Sequence, residues 1–350
     1  MNIEHFNQLN QKLSSKIAAN GSDYLYFGGT AYLGIPQNKE FIQLYIEGIE
    51  RYGLNNGTSR GNNVQLGIYD EAEDFIARKY GVEAGLISSS GYLAAKLVVQ
   101  HYASFGNVRY APNSHPAIWL DGNPQNKLEF KDWSEQIVEE INASEAEKWV
   151  LLSNSMNNLY PEIYDFSFIN EIHPNKKIVL IIDDSHGIGI LNSGLGVLSG
   201  VPKLQHIEVV VIASMAKALG LDAGVVLGSK EAIQQLKQSD EFYGASPPAA
   251  AGLYAFIKSD DIYREAYQKL HDNVKKFTQS LTNRADWHYV DGFPVFLCKL
   301  GNVEQQLLKE KILISSFPYP DRNGKVLNRI VLSSWHSEAD ILKLVSAIKI

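Results

Sequence analysis

The sequence predicts an α/β protein, with a large domain on a mostly parallel sheet and a smaller α+β C-terminal domain. Three observations predict it. The middle of the chain alternates short, continuous, β-branched apolar runs with helical patterns, as strands buried on both faces of a parallel sheet do. Past Pro247-Pro248 a long amphipathic stretch replaces that alternation. The 350 residues are 45% hydrophobic and 20% charged, a globular mix that excludes disordered and fibrous classes and has length for about two domains.

In chain order, Ala72, Phe75, Ile76 and Tyr80 share one face of a helix. A strand over 86–88 leads into a helix over 92–102. Residues 149–153, 178–183 and 209–213 read as buried strands. Beyond the two prolines, Tyr263, Ala266, Tyr267, Leu270, Val274, Phe277 and Leu281 recur at helical spacing. Strands follow over 293–300, 312–317 and 329–332. A final helix begins at Ser337, with Asp340 placed to complete a capping box. The expected division is an N-terminal segment, 1–45, packing with the small domain, then a large domain, 46–240, and a small domain, 241–350.

Charge and cysteine content narrow the function. Lys and Arg number 32 against 39 Asp and Glu, a net charge of −7, which argues against a nucleic-acid partner. The longest apolar runs, KIVLII and VVVIA, hold five or six residues, against the ~20 of a membrane span. The N-terminal stretch shows no apolar signal core. The single cysteine, Cys298, excludes a disulfide framework and any multi-cysteine metal site. The expectation is a cytoplasmic enzyme with small-molecule substrates and neither a nucleic-acid nor a membrane partner.

Four segments carry candidate chemistry. Lys217, in SMAKALG directly after the 209–213 strand, stands where partial desolvation lowers an amine's pKa and makes it a nucleophile toward carbonyls. A solvated lysine opening a surface helix fits the same segment. Asp183, Asp184 and His186 in DDSHGIG follow the 178–183 strand, at the carboxyl edge where α/β sheets bind ligands. A structural loop, a metal site and a dinucleotide loop compete there. No third glycine falls at the dinucleotide offset, and no further cluster completes a metal shell. Ser90-Gly91-Tyr92 opens a helix whose free N–H groups suit a phosphate, although a plain serine cap reads alike. His115, in NSHP, is by itself equally a surface or capping histidine. Together, a strand-end Asp, a strand-end Lys and a phosphate-type helix start are what a pyridoxal phosphate (PLP) site requires.

At this point the chain resembles the α-oxoamine synthases, the fold-type I PLP enzymes that include 8-amino-7-oxononanoate synthase, from Tyr32-Leu33-Gly34 to the C-terminal helix. SSSGYLAA (88–95) is similar to the family's phosphate motif, which implicates Ser90, Gly91 and Tyr92. NSHPAIWLDG (113–122) resembles the segment whose histidine stacks on the cofactor ring, a role that falls on His115. DDSHGIG (183–189) implies Asp183 at the ring nitrogen and His186 at the ring hydroxyl. SMAKALG (214–220) implies Lys217 as the Schiff-base residue and Ser214 as a phosphate contact, while Ser155 matches a further cofactor contact. RIVLSSWHSEADI (329–341) implies Arg329 as the group that holds the amino-acid carboxylate.

The resemblance implies a PLP-dependent acyltransferase. It would condense an amino acid with an acyl-CoA, lose CO₂ and release an α-oxoamine, with Lys217 as base and Asp183 and His115 as further catalytic groups. It also implies a homodimer with the active site at the subunit interface. A PLP-dependent aminotransferase and a degenerate PLP-fold binding protein are the alternatives. The chain departs from the family's pattern at Ala31, Val64, Tyr69, Asn157-Asn158-Leu159 and Gly244.

Overall fold

The structure, a computed structural model, describes residues 6, 8–19, 21–319 and 323–348. The other positions of the expected segments lie outside the described residues. The chain divides into two units. The larger comprises Lys39–Asn157 and Ile163–Asp260, and the smaller Met1–Asn38, Asn158–Glu162 and Asp261–Ile350.

In the larger unit a six-stranded sheet runs in the order Ala84–Ser88, Gly224–Gly228, Ile207–Ser214, Lys177–Asp183, Lys148–Asn154, Asn107–Tyr110. The last four are parallel, and Gly224–Gly228 is antiparallel to both of its neighbours. Leu151, Leu180, Ile181 and Val210 are fully enclosed, which is why these strands read as unbroken apolar runs. The helix Gly91–Tyr102 covers the strands Ile207–Ser214 and Gly224–Gly228, and the helix Ile68–Tyr80 packs on Ala84–Ser88.

The smaller unit has its own six-stranded sheet, in the order Lys16–Ala19, Ser22–Phe27, Ile312–Tyr319, Lys325–Val331, Val295–Cys298, Trp287–Tyr289. Phe277 of the helix Asp260–Ser280 meets Phe296 and Trp287 edge-on, with centroids 4.7 and 6.1 Å away. The last helix, Glu338–Ile348, carries the capping box. Ser337 N donates to Asp340 Oδ2 at 2.8 Å, and Asp340 N donates back to Ser337 Oγ at 3.2 Å.

The expected domain limits shift. Residues 241–260 belong to the larger unit, because the helix Ala250–Ile257 packs along the helix Lys39–Tyr52. A Cβ at Gly48 would stand 2.7 Å from Ala251 Cα, and Phe256 meets Phe75 at 5.4 Å. For the same reason residues 39–45 leave the N-terminal segment. The short loop Asn158–Glu162 joins the smaller unit, where the Asn158 carbonyl accepts from Arg329 Nη1 at 2.9 Å. No described helix is long and apolar enough to cross a membrane.

One buried carboxylate ties the larger unit together. Glu73, 3% exposed, pairs with Arg60 Nη1 at 3.0 Å and Lys237 Nζ at 2.6 Å, and accepts from Ile87 N at 3.0 Å. The Arg60 guanidinium also lies over the Tyr69 and Phe242 rings, 4.9 and 5.3 Å from their centroids. Breaking a buried pair by removing one partner leaves the other charge uncompensated. Glu73→Ala should therefore cost about 3 kcal/mol, at the low end of that range since Lys237 reaches solvent. A urea midpoint within error of the parent would show that Arg60 is not held by this carboxylate.

Candidate active site

The site is built on the carboxyl edge of the large sheet. Asp183 ends its strand, with Oδ1 accepting from Ser185 N at 3.0 Å. The neighbouring strand ends at Ser214, and the chain folds back so that Met215 N bonds to Ala223 O at 2.9 Å and Leu221 N to Met215 O at 3.1 Å. Lys217 stands in that turn. Burial lowers the pKa of its amine and the Asp183 charge opposes the shift, so the neutral, nucleophilic form becomes more accessible while the cation keeps an anion nearby. Among the described residues, Lys217 Nζ makes no ion pair.

The start of the helix Gly91–Tyr102 lies against the same edge. Ser90 caps it, its hydroxyl accepting from Leu93 N at 3.1 Å and its carbonyl from Ala94 N at 3.0 Å. The amides of Gly91 and Tyr92 are left without a partner among the described residues, as first-turn amides are. Glycine is required here by close approach. A Cβ at Gly91 would stand 2.6 Å from Ser214 Cα, and one at Gly224 2.1 Å from Ser90 O.

His115 heads a short helical turn, Pro116–Ile118, and its Nδ1 accepts from Ala117 N at 3.2 Å. That bond puts the ring proton of the neutral form on Nε2. Burial lowers the ring's pKa, with the Asp183 charge opposing and the Lys217 charge adding. The burial is partial, and water at the exposed side of the residue screens both charges. The neutral imidazole thus stands within electrostatic reach of Lys217 and Asp183 together.

Asp184 works below this layer. It is 2% exposed, accepts from Val197 N at 2.9 Å through Oδ2, and through its carbonyl takes Gly187 N and Ile188 N, both at 2.9 Å. It thereby shapes the loop that carries the half-buried His186. Burial, and secondarily the Asp183 charge, push its carboxyl up to about 7, against bonding from Ser155 and Val197. Ser155 Oγ lies beside this carboxyl, outside ideal hydrogen-bond geometry.

Residues 50–348 match the model of the family Aminotransferase class I and II. The chain belongs to this family. It is therefore a PLP-dependent transferase of fold type I, the cofactor and class that the resemblance implies. The 8-amino-7-oxononanoate synthase of Thermosipho melanesiensis is 23% identical over 93% of this chain and 87% of its own length. Serine palmitoyltransferase from Sphingomonas wittichii superposes with a TM-score of 0.80 at 16% identity, covering 98% of this chain and 90% of its own. The 8-amino-7-oxononanoate synthase of Francisella tularensis gives 0.69 at 19%, covering 93% and 96%.

The residues present fit the family's cofactor. Two partnerless amides beside Ser214 suit a phosphate, and a partly desolvated lysine near a strand-end carboxylate suits the aldehyde and ring. Of the expected site residues, the larger unit gathers Ser90, Gly91, Tyr92, His115, Asp183, His186, Ser214 and Lys217 on this edge. Ser155 has no exposed surface, and its hydroxyl lies beside Asp184 without a hydrogen-bond partner among the described residues. Asn154 was not among the expected residues, yet it pairs in register with Asp183. A polar residue ending an apolar strand is the signal that marks it, as for Asp183.

In the smaller unit Arg329 is 5% exposed, lies over Phe317 at 5.2 Å and keeps a buried Nε without a partner. Burial lowers its pKa, partly offset by Tyr32. The departures from the family pattern are structurally clear. Tyr69 is buried and its hydroxyl donates to Pro248 O at 3.1 Å. Val64 is exposed, a Cβ at Gly244 would meet open space, and the Ala31 carbonyl accepts from Ser333 Oγ at 2.7 Å.

Asp184 predicts a pH dependence. Its folded pKa of about 7 lies above the ordinary 3.8, so between those values the native state holds a proton that the unfolded state has lost. Its contribution to stability then falls as pH rises from about 4 to about 7, and is flat above. Asp184→Asn should remove that fall, so the variant gains relative to the parent across this window in unfolding titrations. A constant difference from pH 4 to 8 would show that Asp184 ionises normally.

Proposed function

We propose that the protein is an α-oxoamine synthase, a PLP-dependent acyltransferase that condenses an amino acid with an acyl-CoA and releases CO₂. The convergence of Lys217, Asp183 and a neutral, exposed His115 on one sheet edge carries this reading. The resemblance of the His115 and Arg329 segments to that family, and the names of the relatives, support the acyl-transfer class. As the resemblance implies, the protein would act in the cytoplasm as a homodimer with the site at the subunit interface. The exposed Ile42, Ile46, Leu54, Val64 and Tyr92 of the larger unit are apolar surface that a partner would cover.

The cofactor, when bound, supplies an electrophilic aldehyde and a ring that accepts the electron pair released at the substrate's Cα. Lys217 would hold it covalently, with Asp183 at its ring nitrogen, His186 at its hydroxyl, and Ser90, Gly91, Tyr92 and Ser214 at its phosphate. Asp183 would stand at the ring nitrogen, where a carboxylate favours the protonated ring. Lys217 Nζ, once free, takes the proton from Cα, a role worth about 10²–10⁴-fold. His115 would cover the ring face, with its Nε2–H as a donor. Arg329 holds the substrate carboxylate by charge-assisted hydrogen bonds, using the Nε that lacks a partner.

The deciding experiment incubates the holoenzyme with glycine, alanine or serine, with and without short and long acyl-CoAs. Thiol release and CO₂ that both depend on the amino acid are expected. Keto acid formed from the amino acid, with no thiol release from any donor, would identify an aminotransferase instead. Separately, Arg329→Ala should weaken amino-acid binding about ten- to a hundredfold, the loss of a hydrogen bond to a charged group. The visible spectrum without substrate should not change. Unaltered amino-acid affinity would send the carboxylate elsewhere.

A further inference from the structure

We infer that Asn154 is a positioning residue that sets the place of His115, by clamping the turn before it from the neighbouring strand end. Resting on the reading of His115 as the group that covers the cofactor ring, the inference adds the residue that makes this possible.

The segment leading to His115 is pinned step by step. Ala111 N bonds to Leu152 O at 2.8 Å, the Tyr164 hydroxyl to Pro112 O at 3.4 Å, and Trp119 Nε1 to Ser114 O at 3.0 Å. Asn113 itself adopts φ +55°, a left-handed conformation that a non-glycine residue holds at some cost. Asn154 bridges that residue. Its Nδ2 donates to Asn113 O at 2.7 Å and its Oδ1 accepts from His115 N at 3.0 Å. Only an amide side chain of this length offers a donor and an acceptor in that arrangement. A carboxylate would set an oxygen against the Asn113 carbonyl, and an alkyl group would leave both backbone groups unmet.

The placement of Asn154 makes the clamp specific to the site. It stands opposite Asp183 in the parallel register, so of two neighbouring strand ends one presents the anion and the other clamps the turn that carries His115. His115 is exposed, and its ring bonds only within its own turn, through Nδ1 to Ala117 N. Its backbone N–H is held from outside that turn by Asn154 alone among the described residues. Loss of the clamp would leave the imidazole chemically intact but without a fixed plane.

The test compares His115→Ala, Asn154→Ala and the double variant as PLP-loaded proteins. It reads the induced circular dichroism of the cofactor's visible band, the PLP dissociation constant and the melting temperature. Each single variant should weaken PLP binding about tenfold, the scale of one or two lost neutral hydrogen bonds or a lost ring contact, and reduce the visible band. In the His115→Ala background, Asn154→Ala should add less than about twofold. Additive losses would overturn the inference by showing that Asn154 acts on the cofactor or the fold directly. So would an unchanged band in Asn154→Ala. An unchanged band in His115→Ala would instead overturn the ring-covering role, and the inference with it. Should Asn154→Ala not fold, the isosteric Asn154→Asp takes its place in the same comparison.

Discussion

Asn154 pairs with Asp183 and Asp183 with Ile212, so two parallel strands end level and the third runs on beside them to Ser214. The functional edge depends on that register, since a slip of one residue turns each side chain to the opposite face. Apolar patterning cannot set it. Strands such as KIVLIID are apolar on both faces, so a slipped pairing buries nearly the same surface. Polar groups at the strand ends select the alignment instead. Ser155 N donates to Asp183 O, Asp184 N to Ile212 O and Ser214 N to Ser185 Oγ, each at 2.8 Å. The groups that build the site are therefore also the groups that fix the sheet, and a substitution there tests both at once.

The same logic explains what the sequence makes legible. Long buried strands announce themselves by continuous apolar runs, and the capping box at Ser337 by local spacing alone. The strand Gly224–Gly228 is hidden because it is short and bounded by glycines, the first of them dictated by its approach to Ser90 O. The boundary at 260 is hidden because the helix Ala250–Ile257 follows the two prolines that look like a domain border. Its apolar surface is spent on the helices Lys39–Tyr52 and Ile68–Tyr80, partners distant in sequence. Tyr69 stands out only as a departure from a motif, until its bond to Pro248 O shows it fastening the segment that leads into that helix.

At the site, placement at a strand end is legible in the sequence: Lys217, Asp183 and the helix start at Ser90 stand on one edge of the sheet. Residues that act through another part of the chain are not. Nothing local to Ser155 reveals that its hydroxyl lies beside Asp184. Asn154 reads as the end of a strand because its partners, Asn113 and His115, are joined to it only by the fold. Motif resemblance transfers side-chain identity, whereas the direction a side chain takes depends on packing.

Two arginines with largely covered side chains are compensated differently. Arg60 is met by the carboxylates of Glu73 and Asp70 at 3.0 and 3.2 Å and by two aromatic faces, so its charge is compensated within the protein. Arg329 is about as deeply buried, yet among the described residues it has one carbonyl, one ring and no carboxylate at ion-pair distance. A buried guanidinium without a counter-ion is costly, and its Nε adds an unmet donor. In a chain with 39 acidic residues against 32 basic ones, a carboxylate partner was available to selection and is not there. An anion bound there would recover the electrostatics that burial takes from this guanidinium. Lys217 in the larger unit differs, since burial favours its neutral amine and the Asp183 charge partly offsets that shift.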